Sequence, residues 1–182
     1  MPTNDVVRHT GPTGQPTDTT YAVGFGFNST DKAFSVNEAG TLYAMAAKGG
    51  WQFAEVSVSI AEMLAVRATP KTLVAAPGAG KVLIFHEAAM IYDYAAVYTE
   101  SSDDLVIRYT DGSGAIASTT LDTTNFLDQT SDQIRTFKTI TTDLTPVANA
   151  PLVLHNSGNG ELGGTGSPCR IKIWFSVWET GL

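Results

Sequence analysis

One cysteine, few charges and no long apolar run set the first limits on this chain. Cys169 has no second cysteine to pair with, so no intrachain disulfide is available and stability has to come from a core and from partners. Charged residues are only 16% of the 182 residues, against a usual share of roughly 25%. Much of the surface is therefore uncharged Ser, Thr, Asn and Gly, as in a β-sandwich or a protein that hides surface in an assembly.

Positive charge is the scarcer sign. Eleven Lys and Arg against eighteen Asp and Glu give a net charge of −7, and no basic cluster exists that could follow a phosphate backbone by releasing counterions. Nucleic acid is excluded as a partner. No window approaches the roughly 18 apolar residues of a membrane span, and Met1-Pro2-Thr3-Asn4-Asp5 lacks the basic and apolar regions of a secretory signal. The expectation is a soluble chain made in the cytoplasm, with no membrane partner.

What the chain does have is β patterning. Residues 1–20 are polar and broken by Gly11, Pro12, Gly14 and Pro16, and residues 21–50 scatter aromatics among glycines without a firm period. Residues 1–50 are therefore expected to form an extended N-terminal arm. From Phe53 the order changes: Ala54, Val56, Val58 and Ile60 alternate with Glu55, Ser57 and Ser59, the signature of a strand with one buried face.

Ser59-Ile60-Ala61-Glu62 fits a capping box, which predicts a short helix over 60–66 stopped by Pro70. Further strands are expected at 72–75, 80–94, 104–110, 115–121, 134–142, 149–156 and 169–179, separated by turns such as Pro77-Gly78 and Asp111-Gly112-Ser113-Gly114. Short strands at this spacing predict an all-β sandwich, jelly roll or barrel over 51–182.

Motifs that suggest chemistry fail on inspection. Ala75-Ala76-Pro77-Gly78-Ala79-Gly80-Lys81-Val82 imitates a phosphate-binding loop, but Ala75 and Val82 stand where Gly and Ser or Thr are needed, and a strand follows instead of a helix. Gly158-Asn159-Gly160-Glu161-Leu162-Gly163 matches a dinucleotide fingerprint by letters, yet Gly164, Gly166 and Pro168 forbid the helix that must begin there. Both read as loops.

His9, His86 and His155 are spaced neither for zinc nor for a catalytic triad, and adjacent Asp103 and Asp104 would point to opposite faces of a strand. His86 shares parity with Val82, Ile84, Ala88, Met90 and Tyr92, which predicts a hydrogen-bonded core or interface histidine. Cys169 shares parity with Ile171, Ile173, Phe175 and Val177 and reads as a small buried hydrophobe. Asn28-Ser29-Thr30 fits a glycosylation acceptor but has no secretory route. No catalytic residue, metal or cofactor is expected, and the chain reads as non-enzymatic.

The last strand is the most informative. Its other parity carries Arg170, Lys172, Trp174, Ser176 and Trp178, so two tryptophans lie on the polar face. Either a second layer such as residues 21–50 covers them, or they form a subunit or partner interface, where Trp is enriched. Trp174 and Trp178, with Trp51 and Phe53 at the junction of arm and domain, are the expected interface residues.

Two runs carry a family likeness: Ser57 to Leu64, and Ala68-Thr69-Pro70-Lys71-Thr72-Leu73-Val74-Ala75-Ala76-Pro77-Gly78-Ala79-Gly80-Lys81. The likeness continues through Asp104 to Thr110, Phe126 to Gln133, Asn149 to Leu154 and the strand at 169–178. Over residues 54–179 the chain resembles the capsid decoration, or cement, proteins of tailed phages. The resemblance implies a β-sandwich or jelly-roll domain that self-associates, as a homotrimer or a dimer, and bridges major capsid protein subunits on the outer surface of the virion. It supplies no catalytic residues and does not reach residues 1–50. The alternative is a tail or head-fibre adhesion module, in which loops 110–114 and 156–168 recognise a host-surface glycan.

Overall fold

The computed structural model describes the backbone of residues 24–28, 33–38 and 41–44, and residues 50–99 and 104–181 in full. The chain divides into two units, Met1–Gly50 and Trp51–Leu182.

In the first unit, strands β1 (Gly24–Asn28), β2 (Ala33–Glu38) and β3 (Thr41–Ala44) form an antiparallel meander in the order β1-β2-β3. Phe27 pairs with Phe34 and Val36 with Tyr43 across it. This amends the extended-arm expectation for those strands. Their alternation, such as Phe25 and Phe27 between glycines, runs too briefly to stand out as a period. Residues 1–23, and with them His9, lie outside the described residues.

The second unit is an all-β sandwich. It begins with β4 (Gln52–Val58), α1 (Ile60–Leu64), β5 (Lys71–Val74), β6 (Lys81–Tyr92) and β7 (Tyr98–Thr99). It continues with β8 (Asp104–Tyr109), β9 (Leu121–Asp122), β10 (Gln133–Lys138), β11 (Leu152–Asn156), β12 (Gly163–Gly164) and β13 (Cys169–Glu179). One four-stranded sheet has the order β10-β6-β13-β4 and the other β5-β11-β8-β9, with β12-β7 as a small ribbon.

The pairing is that of one long hairpin rolled up. Leaving the ribbon aside, the outermost strands β4 and β13 pair, then β5 with β11, β6 with β10, and β8 with β9, all antiparallel. Rolling then adds β13 to β6 and β11 to β8. This is the jelly-roll connectivity, in which successive crossings between two sheets protect most strand edges.

Alternation decides which side chains lie between the sheets. Phe85, Met90, Tyr92, Ile171 and Ile173 of one sheet meet Leu105, Ile107, Tyr109, Leu152 and Leu154 of the other, with Phe126 and Phe137 closing the core. Tyr109 Oη donates to the Leu83 carbonyl at 2.7 Å and ties the layers together. Cys169 is fully buried in the same layer, and burial pushes its thiol up to about 12.

The capping box forms as read: Ser59 Oγ accepts from the Glu62 amide at 3.3 Å, and Glu62 Oε2 accepts from the Ser59 amide at 2.8 Å. The helix stops at Leu64, earlier than the expected residue 66, because Ala65 leaves helical geometry (φ −114°, ψ 9°). Residues 75–80 form a turn that runs directly into β6, with Gly78 and Gly80 at positive φ. Residues 115–120, expected as a strand, make only isolated bridges at Ile116 and Ser118.

Candidate functional site

The outer face of the β10-β6-β13-β4 sheet collects the residues that alternation leaves pointing away from the core. On β13 these are Arg170, Lys172, Trp174, Ser176 and Trp178. Beside them, in register, run Ser57, Glu55 and Phe53 of β4: Arg170 faces Ser57, Lys172 faces Glu55, and Trp174 faces Phe53. Trp51 precedes β4 on the same parity. All four expected interface residues thus lie toward one end of one sheet face.

Two ring pairs form on this face. Phe53 and Trp174 have centroids 5.3 Å apart, tilted by 50°. Trp51 stacks on His86 at 4.5 Å with planes 8° from parallel. His86 Nε2 in turn lies 2.8 Å from Ser176 Oγ. Trp51 is 71% exposed, Phe53 53% and Trp178 51%, so three of the four rings stand open on the outer face of this sheet.

His86 was not legible as part of this surface. The register between β6 and β13 slips at Trp174 and Phe175, so that Glu87 faces Trp174 and Phe85 faces Phe175, leaving His86 as the extra residue of a β-bulge. The core row therefore runs Leu83, Phe85, then Ala88, Met90 and Tyr92, and the expected parity of His86 with Ala88 does not hold. The hydrogen bond expected for it does form. Partial burial lowers its pKa below 6.5, favouring a neutral ring in the stack.

The other end of the face is ionic. Arg170 makes a bidentate bond to Asp93 (2.8 and 2.9 Å) and approaches Glu55 at 3.5 Å; Lys172 reaches Glu55 at 3.6 Å, and Lys138 pairs with Glu87. Asp93 holds the Arg170 pKa up, and Arg170 holds that of Asp93 down. These exposed pairs are screened by solvent and contribute little to stability, but they neutralise the charge bordering the aromatic end.

The loops named for the adhesion alternative also converge. Asp111, Gly112 and Ser113 border the same cleft as Glu161, on the outer side of the second sheet. Of the two acidic neighbours considered as chemistry, Asp104 is paired across the sheet with Asp122, and Asp103 lies outside the described residues. Among the described residues, no group of three or more His, Cys, Asp or Glu is placed to hold a metal ion, and no helix is long and apolar enough to cross a membrane. No protein-family model matches the chain, and no curated protein matches its sequence.

Proposed function

We propose that this chain is a structural virion protein that docks on a phage capsid shell through the aromatic end of the β10-β6-β13-β4 sheet and reinforces it. The observation that carries the reading is the clustering of Trp51, Phe53, Trp174 and Trp178 on one face, since Trp and Tyr-like aromatic anchors dominate protein–protein binding energy. The jelly roll and the resemblance over residues 54–179 support it. The partner is the major capsid protein; the role is mechanical rather than catalytic.

Magnitudes say how such docking has to work. The exposed apolar area of the three open rings is on the order of 400 Å², or about 10 kcal/mol at ~25 cal/mol per Å². Association costs ~4–15 kcal/mol, so one copy holds weakly. Linked copies convert later contacts into intramolecular ones, which is why self-association, as a trimer or dimer on the outer capsid surface, belongs to the proposal. A ligand that binds the assembled lattice stabilises it by mass action.

The test is co-sedimentation of the purified protein with emptied phage shells, alongside its mass in solution. An oligomer that pellets with shells agrees with the reading. A monomer indifferent to shells removes it.

A further inference from the structure

We propose that the 110–114 turn is an acid-operated latch, closed over His155 while that imidazole is neutral and released when the ring takes up a proton. It lies on the outer side of the β5-β11-β8-β9 sheet, away from the aromatic face, and stands independently of the docking reading.

The turn folds back on the strand that leads into it. The Tyr109 amide donates to the Ala115 carbonyl at 2.9 Å across its base, the Gly114 amide to the Asp111 carbonyl at 3.2 Å, and the Ser113 amide to Asp111 Oδ1 at 2.7 Å. Arg108 Nη1 adds a bond to the Gly114 carbonyl at 2.9 Å. Thr110, at the entry, is held at φ +67°, a conformation that β-branched residues rarely adopt. The closed turn therefore stores backbone strain, and its packing and hydrogen bonds are what keep it shut.

What it closes over is His155. A Cβ on Gly112 would lie 2.6 Å from His155 Nε2, so the glycine backbone rests directly against the imidazole. Strand pairing puts Val106 beside His155 and Arg108 beside Val153, and both valines are buried although they stand outside the main core. His155 is itself only 8% exposed, and its Nδ1 is sealed from solvent with no hydrogen-bond partner among the described residues. A neutral ring there forgoes one hydrogen bond. A protonated ring carries an N–H on both nitrogens, and the one at Nδ1 is then a buried cationic donor left unpaired, a far costlier state.

The charges around the ring act in the same direction. Arg108 faces it from β8 and Arg67 from the segment after α1; against them stand Glu161, in the loop before β12, and Asp111 of the turn. Both carboxylates are already engaged, Glu161 by the amides of Arg67 (3.0 Å) and Ala68 (2.7 Å), and Asp111 by that of Ser113. The single charge on β5, Lys71, pairs with Glu62. Burial first, then the two guanidiniums, hold the His155 pKa below 6.5 while the turn is shut. Opening returns the ring to water and to its ordinary pKa, so closing expels a proton. Below pH 6.5 linkage then shifts the balance toward the open turn, by up to about tenfold per pH unit.

The experiment is amide hydrogen exchange followed by NMR on the full chain, with rates corrected for the intrinsic effect of pH, alongside titration of the His155 and His86 ring signals. The expected result is that protection of the Tyr109 and Gly114 amides falls about fivefold or more between about pH 7.5 and 5, with a midpoint that tracks His155. The Ile171 and Ile173 amides should stay about tenfold or more better protected at the acid end, which marks the opening as local. His155→Gln, which cannot titrate, should flatten the fall, whereas His86→Gln should leave it in place; the parent titration decides the matter even where His155→Gln does not fold. Protection that is indifferent to pH, a fall that follows His86 instead, a fall that persists in folded His155→Gln, or loss shared equally by the core amides would overturn the proposal.

Discussion

Trp51 lies flat on His86, ring centroids 4.5 Å apart, and that imidazole is turned outward by the bulge between β6 and β13. A residue at the start of the sandwich is thereby anchored to the middle of its longest strand, and the aromatic surface becomes a preorganised platform. Ordering such side chains before binding lowers the entropy lost on association.

His86→Ala removes the ring beneath Trp51 without opening the core, since His86 is only partly buried on the outer face. The expected outcome is a shift in tryptophan fluorescence and weaker shell binding, with an unfolding free energy within about 1 kcal/mol of the parent. A loss of several kcal/mol in denaturant titration would mean the stack holds the fold rather than the platform.

Stability should fall toward acid. His86 and His155 both have folded-state pKa values below 6.5, chiefly through burial. As pH drops through 6.5 the unfolded chain takes up protons that the folded chain refuses, so their contribution, fully present above 6.5, is lost. Glu62, held at about 2 first by its bond to Lys71 and then by Ser59, adds a second loss only as pH falls below 4.5. Urea titrations at about pH 7.5, 5.5 and 4 check this; a flat profile down to about pH 5.5 would contradict the histidine part.

Gly166 is irreplaceable for a local reason. It sits at φ +61°, and a Cβ there would lie 2.2 Å from Tyr98 Cε1. Tyr98 is itself pinned, its Oη donating to the Ser167 carbonyl at 2.6 Å. Gly166→Ala is expected to cost more than about 2 kcal/mol through overpacking and backbone strain. Tyr98→Phe, which leaves that buried carbonyl only the weak Cys169 thiol donor at 3.8 Å, is expected to cost about 1–3 kcal/mol. Chemical denaturation of both variants reads these values directly.

Ser59→Ala dismantles the capping box of a helix only one turn long. A cost of about 1 kcal/mol is expected, measurable by the same titration, with no change in binding to shells.

Much of this fold was legible because alternation is unambiguous where a strand has one wet face. Cys169 to Phe175 shows it residue by residue, and the parity of Trp174 and Trp178 placed them outside the core correctly. Ser59 and Glu62 announced their own hydrogen bonds. His86 was misplaced because a bulge adds one residue without any mark in the local composition, and every parity beyond it reverses. The meander at 24–44 was missed because its strands are too short to establish a period. The cleft around His155 joins residues from 67 to 161, a closeness created by the β5-β11-β8 pairing and invisible in spacing.

The most direct test of the docking account is co-sedimentation of emptied phage shells with the parent chain and with a Trp51→Ala, Trp174→Ala, Trp178→Ala triple variant whose fold has been checked by thermal melting. The account predicts that the parent pellets with the shells and raises the temperature at which they rupture, while the variant stays in the supernatant and leaves rupture unchanged. A folded variant that pellets as the parent does would contradict it.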